Sequence, residues 1–182
     1  MTRRNVPQPA VDRMVDFTGH PVVVGVTPGQ PDLVPLTAVS LGRAIGAPML
    51  HFAYVDSTRY PLTEHDDGSV DHAPIETDTA DDIWQRTRDD IEGHLSDLLA
   101  GHDLAWRFVY LAGRPDRALT HLARAVDAAV LIVGTRAPGS VAHMRELVEG
   151  SVAAHLTHHQ HRPVLTVPLS VVDWKDLKAP WT

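Results

Sequence analysis

The sequence predicts an α/β fold, a doubly wound open sheet of mostly parallel strands with helices on both faces. Five short apolar runs lack the polar alternation of half-exposed strands, which is typical of strands buried on both faces. Helical patterns separate these runs, and alternating strands and helices indicate a parallel sheet with crossover helices. The runs are Pro21–Val26, Met49–Val55, Leu104–Leu111, Ala129–Val133 and Pro163–Pro168.

Four helices are predicted between the strands from apolar spacing and end signals. The first spans Leu33–Ile45, where the following Gly46 is a natural end. The second runs from about residue 82 to residue 100. The third follows Gly113-Arg114-Pro115, because proline suits the first helical position, and the fourth spans Gly150–His159.

The chain divides into an arm, one domain and a tail. Residues 1–19 show no sustained periodicity, so we expect an N-terminal arm. Residues 20–168 hold all five strands and form the expected domain, and residues 169–182 form a C-terminal tail. Within the domain, residues 56–80 are polar, acidic and interrupted by proline and glycine, which predicts a long acidic loop and a candidate lid.

Composition excludes several function classes. The 182 residues carry a net charge of −7, which argues against nucleic-acid binding through clustered basic residues. The chain has no cysteine, so disulfides, thiolate metal sites and a cysteine nucleophile are excluded. No apolar run reaches the roughly 20 residues of a membrane helix, and residues 1–19 lack the apolar stretch of a signal peptide. We expect a cytoplasmic protein that binds neither nucleic acid nor membrane.

The negative charge is local. Residues 56–92 contain 12 acidic and three basic residues, whereas the rest of the chain contains 11 acidic and 13 basic residues. The acidity therefore belongs to the predicted loop and to the helix that follows it. The nearly neutral remainder of the chain is compatible with a small anionic ligand.

Sheets of this kind bind ligands at the carboxyl ends of their strands, where the strand order reverses. The residues after the first and fourth runs, Val26–Gly29 and Gly134–Gly139, are therefore candidates. A glycine after a buried strand lets a phosphate approach the backbone closely. Gly150-Ser151 would add free N–H groups, a hydroxyl and the positive end of a helix. Together the segments suit a phosphate chain.

These segments resemble the universal stress protein family, the UspA-like domains, over roughly residues 20–168. The resemblance rests on the first strand, Gly113-Arg114-Pro115, Gly134-Thr135-Arg136, Gly150-Ser151-Val152 and Pro163–Pro168. It implies an open five-stranded parallel sheet in the order 3-2-1-4-5. It also implies a ligand-responsive binding module that forms a homodimer through the last strand, here Val164–Val167.

Many family members bind ATP through a glycine pattern, and this chain departs from the family at three places. Gly134 matches the first glycine and Gly150-Ser151 the last pair, but Ala137 stands at the second glycine and the loop is three residues longer. Thr27 stands where ATP-binding members carry an aspartate. Tyr54 stands where a small apolar residue lines the adenine pocket.

The resemblance implies an adenine nucleotide, ATP or AMP, with Mg²⁺ only as a partner of that nucleotide. The glycines and the amides of Gly150–Val152 would hold the phosphates, while Thr27 and Tyr54 would face the ribose and base. The candidate residues are Val26, Thr27, Tyr54, Gly134, Thr135, Arg136, Gly139, Gly150, Ser151 and Val152.

Three alternatives stay open. Gly134 and Gly150 can serve turns and packing alone, with Thr27 and Tyr54 closing the pocket, which describes a dimeric interaction or regulatory protein without nucleotide. Gly150-Ser151 and Arg136 also suit a different anion. A nucleotide hydrolase or transferase is the third alternative, but the chain has neither a P-loop lysine nor a nucleophile motif, so we expect no catalytic residue.

Four histidines crowd into His155–His161. His155 and His159 have the four-residue spacing of metal ligands on a helix, but no glutamate of a metalloprotease motif accompanies them. The C-terminal end of a helix also favours histidine because of the helix dipole. We adopt this second interpretation and predict no metal site.

Overall fold

The computed structural model of the protein describes residues 10–76, 82–135 and 152–169. The strands in these ranges are β1 (Val22–Gly25), β2 (Leu50–Asp56), β3 (Arg59–Glu64), β4 (Val70–Pro74), β5 (Trp106–Ala112), β6 (Val130–Gly134) and β7 (Val164–Val167). The helices are α1 (Leu33–Ile45), α2 (Ile83–Leu99), α3 (Pro115–Ala125) and α4 (Val152–His159), and a short 3-10 turn spans Val11–Arg13. None of the described helices is long and apolar enough to cross a membrane.

Five strands form one parallel sheet in the order β5-β2-β1-β6-β7. With the separate β3–β4 hairpin set aside, this is the order 3-2-1-4-5, so the predicted fold is confirmed. Strand β1 lies at the centre, and its Val24 pairs with Phe52 of β2 and with Ile132 of β6. The carboxyl ends of these three strands therefore meet at one edge of the sheet.

Both faces of the sheet are buried under helices. Helices α1 and α2 cover one face, where Val24, Phe52 and Ile132 are fully buried. Helices α3 and α4 cover the other face, where Leu131 and Leu156 are fully buried. Full burial of one such side chain contributes about 1.5–3 kcal/mol. Because successive side chains of a strand point to opposite faces, the central strands need apolar residues at every position.

In the described part of the predicted loop, residues 56–76, the chain does not form one long loop, and the sequence prediction is wrong there. Most of it is an antiparallel hairpin of β3 and β4. His65 N–H donates to Ser69 O and Gly68 N–H donates to His65 O, both at 2.9 Å. Asp67 Oδ1 accepts from the N–H and the hydroxyl of Ser69 at 3.0 and 2.6 Å. Asp-Gly is a pair typical of tight hairpin turns. The segment therefore forms a hairpin, although its polar composition predicts a loop.

The tip of the hairpin packs on α3 and β5. Gly68 has a φ of +82°, and a Cβ there would lie 2.5 Å from Leu122 Cδ1, so only glycine allows the backbone to come this close. The Arg107 guanidinium of β5 donates to the Asp67 carboxylate at 3.2 Å and also to the Asp67 backbone oxygen. The hairpin is therefore held against the sheet at its edge strand β5.

A buried histidine lies beside this contact. His51 of β2 pairs in register with Arg107 of β5, and Arg107 Nε donates to His51 Nδ1 at 2.8 Å. Burial, followed by the positive charge of Arg107, lowers the pKa of His51 from 6.5 to about 4. The ring is therefore neutral near pH 7 and supplies the hydrogen-bond acceptor that the guanidinium needs.

Replacing Gly68 with alanine tests the close approach of the hairpin. Gly101 has nearly the same φ, +83°, but nothing lies within 4 Å of a Cβ built there. Gly101→Ala therefore measures the backbone cost alone, about 1 kcal/mol. We expect Gly68→Ala to lower the free energy of unfolding by about 1–3 kcal/mol more, because Leu122 must move. Urea denaturation measures the free energy of unfolding of both variants. Equal decreases in the two variants would contradict a close contact between the hairpin tip and α3.

The lowered pKa of His51 predicts how stability changes with pH. Between pH 6.5 and pH 4 the unfolded chain binds a proton that the folded chain does not, so the free energy of unfolding falls as the pH falls. The loss is up to about 3 kcal/mol, since one pKa unit corresponds to about 1.4 kcal/mol. His51→Gln keeps an acceptor for Arg107 without this titration, so its stability should vary less over the same range.

Urea denaturation above pH 6.5 and near pH 4 provides the comparison. His158 is exposed, so His158→Gln is the control and should retain the pH dependence of the unsubstituted chain. Parallel profiles for the unsubstituted chain and His51→Gln would contradict the low pKa of His51.

Candidate functional site

Three sequence-predicted residues lie side by side at the carboxyl edge of the sheet. Val26 follows β1, Gly134 ends β6 and Tyr54 lies near the end of β2. Val26 N–H donates to Ala53 O at 2.9 Å, which places Tyr54 on the adjacent strand. The parallel register of β1 with β6 places Gly134 on the other side. The fold therefore brings these three positions to the same edge of the sheet.

A cleft of about 350 Å³ opens beside this edge, on the face covered by α1 and α2. Its volume lies in the range of small-molecule sites. The lining residues are Val26, Thr27, Pro28, Gly29, Gln30, Pro35, Asp90, Ile91, His94 and Leu95. Among the described candidates from the sequence, Val26 and Thr27 line this cleft. The contribution of α2 was not predicted, because nothing in the sequence says which helix lies over the turn after β1.

Gln30 holds the turn after β1 and is a residue that the sequence prediction missed. Gln30 Oε1 accepts hydrogen bonds from the backbone N–H and the hydroxyl of Thr27 at 3.1 and 3.2 Å. Gln30 Nε2 is buried and has no hydrogen-bond partner within the described ranges. Leaving such a donor unsatisfied costs about 1–3 kcal/mol. A ligand that offered an acceptor at this turn would therefore be stabilised.

A hydrogen bond between a histidine and a carboxylate joins the two helices beside the cleft. His94 Nε2 of α2 lies 2.8 Å from Asp32 Oδ1, at the residue before α1. Both side chains are about half exposed, so solvent screens the pair and it contributes little to stability. Its effect is on position, because it holds the His94 turn of α2 beside the start of α1.

Gly134 makes close contact with the chain that follows β7. A Cβ at Gly134 would lie 2.7 Å from Leu169 Cδ1 and 3.3 Å from Val34 Cγ2. Thr135 N–H donates to Val167 O at 2.8 Å, and Leu169 N–H donates to Thr135 Oγ1 at 2.8 Å. An apolar side chain therefore fills the space beside this glycine, which is the packing role that one of the sequence alternatives assigns to it.

Tyr54 belongs to an aromatic cluster. Its ring meets that of Tyr110 edge-on, with 5.3 Å between the centroids. The Tyr110 hydroxyl donates to Asp56 Oδ2 at 2.7 Å, and burial together with this bond raises the pKa of Tyr110. The rings of His72 and Trp84 lie 5.4 and 5.5 Å from that of Tyr110. Tyr54 is not among the residues that line the cleft beside β1, although the sequence predicts that it faces the ribose and base.

A buried arginine connects this cluster to the hairpin. Arg59 of β3 is 6% exposed, and its Nε donates to His72 Nδ1 at 2.7 Å. The guanidinium carbon lies 5.5 Å from the centroid of the Trp84 ring. The cation–π contact and the hydrogen bond offset part of the cost of burying the charge. The hairpin is thereby tied to α2 as well as to α3.

Of the remaining candidates, Val152 falls within the described residues. Val152 begins α4 on the opposite face of the sheet, where it lines a separate cleft of about 250 Å³ together with hairpin residues. Arg136, Gly139, Gly150 and Ser151 lie outside the described residues, so their role at the phosphates stays a prediction.

The histidine-rich segment lies at the end of α4, which finishes at His159. His161 Nε2 accepts a hydrogen bond from the Arg13 guanidinium of the N-terminal arm at 3.0 Å. In the ranges that the structure describes, no three histidine, aspartate or glutamate side chains are grouped as a metal ion would require. The dipole interpretation of these histidines stays a prediction.

The fold is shared with known universal stress proteins. One in complex with cAMP is 22% identical, with 84% of this chain and 99% of that chain covered and a TM-score of 0.55. The one from Archaeoglobus fulgidus in complex with dAMP is 16% identical, with 81% and 97% covered and a TM-score of 0.55. UspA from Lactobacillus plantarum is 14% identical, with 82% and 98% covered and a TM-score of 0.55.

At these identities the likeness to solved structures shows the fold alone. No significant match to a curated protein was found. The sequence profile of the universal stress protein family matches residues 20–168, which is the whole of the predicted domain. On this match, which spans all five strands of the parallel sheet, the chain belongs to the universal stress protein family.

Proposed function

We propose that the chain is a binding module that holds an adenine nucleotide in the cleft beside β1. The observation that carries the proposal is the turn after β1, where Gln30 Nε2 is buried without a partner in the described part of the chain. Adenine presents ring-nitrogen acceptors of the kind this donor lacks. Two universal stress proteins of the same fold are solved with cAMP and with dAMP, which supports an adenine ligand.

The walls of the cleft also support a planar base with a sugar. Val26, Ile91 and Leu95 are buried apolar residues of the lining, and apolar surfaces favour the faces of an aromatic ring. Polar groups at the same cleft, from Thr27 and His94, suit ribose hydroxyls. Thr27 is a neutral substitute for an aspartate, so we expect weaker ribose binding than in members that carry the acid.

The phosphate side favours a monophosphate over a triphosphate. Leu169 fills the space beside Gly134, where the resemblance implies that phosphates approach the backbone. A ligand with one phosphate needs less of this space than ATP does. We therefore propose that AMP or a cyclic monophosphate binds more tightly than ATP.

We further propose that the module forms a homodimer through β7. This strand lies at one end of the parallel sheet, next to β6, and Leu165 on it is 38% exposed. An edge strand offers unpaired backbone donors and acceptors to a second copy. Pairing of Val164–Val167 with the same segment of another chain would satisfy these groups.

A second candidate function is a dimeric interaction or regulatory protein of the same fold without nucleotide. The contact of Leu169 with Gly134 favours it, because it gives the glycine a purely structural role. The packing of Tyr54 against Tyr110 favours it too, since this ring is engaged in the core and not free for a base.

Calorimetric titration with AMP, cAMP and ATP, with and without Mg²⁺, tests the nucleotide proposal. We expect Gln30→Leu to weaken AMP binding by about tenfold, the value of one hydrogen bond from a buried amide. Gln85 is exposed on α2 and outside the cleft, so Gln85→Leu should leave the affinity unchanged. If millimolar nucleotide produces no heat and no shift in thermal unfolding, nucleotide binding is rejected in favour of the second candidate.

Shortening Leu169 tests the preference for a monophosphate. We expect Leu169→Ala to raise the affinity for ATP relative to AMP, because the space beside Gly134 opens. Leu165 lies on β7 away from that glycine and is partly exposed, so Leu165→Ala is the matched control and should leave the ATP-to-AMP ratio as it is. The preference for a monophosphate is wrong if the unsubstituted chain already binds ATP more tightly than AMP.

A further inference from the structure

We infer a second ligand site, for a phosphate-bearing small molecule, on the face of the sheet that α3 and α4 cover. It begins with a basic stripe along α3 and the residue that precedes this helix. Arg114, Arg117, His121 and Arg124 follow one another at spacings of three, four and three residues. These spacings place the four residues on one side of the helix.

The stripe lines a cleft of about 530 Å³. His155 of α4 lines the same cleft, so the site is shared by two helices, and the other lining residues are Asp116 and Thr120. The volume lies in the range of small-molecule sites. A cleft of this size suits a small ligand better than the long backbone of a nucleic acid, which the net charge of −7 also disfavours.

Two of the arginines have no partner in the described part of the chain. Arg114 is already engaged, because its guanidinium donates to both carboxylate oxygens of Asp116 at 3.2 and 3.1 Å. The side chains of Arg117 and Arg124 are exposed and make no hydrogen bond or ion pair within the described ranges. They lie two helical turns apart, roughly 10 Å along the axis. Two cations without a partner among the described residues therefore line one cleft.

His121 lies between these two arginines along the stripe. Its Nδ1 lies 3.2 Å from Glu64 Oε2 of the hairpin. Its Nε2 is buried and has no partner among the described residues. His121 is one of the residues that line the cleft, so a ligand there is a candidate partner for this nitrogen.

Phosphate is the anion that fits these donors best. A guanidinium group presents paired N–H donors that match phosphate oxygens, and a phosphate or diphosphate has enough oxygens to bridge Arg117 and Arg124. A single carboxylate would satisfy one of them. The site is independent of the proposed nucleotide cleft, which lies under α1 and α2 on the other face.

Calorimetric titration of the full chain with inorganic pyrophosphate at low salt tests the site. We expect the double variant Arg117→Gln/Arg124→Gln to bind pyrophosphate about tenfold more weakly or worse, while its affinity for AMP is unchanged. The matched control is Arg86→Gln/Arg88→Gln, which removes the same charge from two exposed residues of α2. This control should retain the pyrophosphate affinity of the unsubstituted chain.

Two results would overturn the inference. One is the absence of pyrophosphate binding at millimolar concentration, and the other is an equal loss in both double variants, which would reveal diffuse attraction without a site. A polyglutamate peptide is the competing ligand. If it binds more tightly than pyrophosphate and depends on Arg117 and Arg124, the cleft receives an acidic protein segment and the small-molecule site is wrong. Thermal unfolding without ligand checks that each variant is folded.

Discussion

A parallel sheet with crossover helices must bury both of its faces, and the rest of this structure depends on that constraint. Burial in the central strands is complete, with Val23 and Leu131 directed to one face and Val24 and Ile132 to the other. Such strands leave no room for polar side chains along their length. Polar chemistry is therefore confined to the strand ends, to the turns after them and to the outer surfaces of the helices. The cleft beside β1 is at a strand end, and the basic stripe is on the outer side of a helix.

The same constraint explains why polar residues near the edge strand come in satisfied groups. His51 and Arg107 lie on neighbouring strands β2 and β5, where an apolar pair would be the simpler choice. They are accommodated because the hairpin supplies Asp67 to the guanidinium and the neutral imidazole accepts its Nε–H. At the other end of the hairpin, Arg59 is buried with His72 and Trp84 in the same manner. The hairpin thus supplies Asp67 to Arg107 of the sheet and His72 to its own Arg59.

Much of the fold was predictable because it rests on patterns that are local in the sequence. The apolar runs without polar alternation predict the strands of the sheet. The glycine after Ile45 marks the end of α1, and Pro115 marks the start of α3. The hairpin was missed because its composition is that of a loop, although Asp67-Gly68 carried the turn signal. The site was harder to predict, since spacing alone does not show which atoms approach a backbone. Gly134 signals close contact, but only the fold reveals that the contact is Leu169.

The closed base of the hairpin, between Thr58 and Ile75, affects how this segment tolerates changes in length. Ile75 N–H donates to Thr58 O at 2.9 Å, so the chain enters and leaves the hairpin at almost the same place. Lengthening or shortening an insertion with such a closed base does not pull its flanking elements apart. The reach of this insertion is nevertheless fixed, because its tip must arrive where Arg107 and Leu122 lie. The closed base tolerates a change in length, but the tip must keep its contacts. Insertions or deletions in the hairpin should therefore be accepted only where they preserve the span from Thr58 to Asp67.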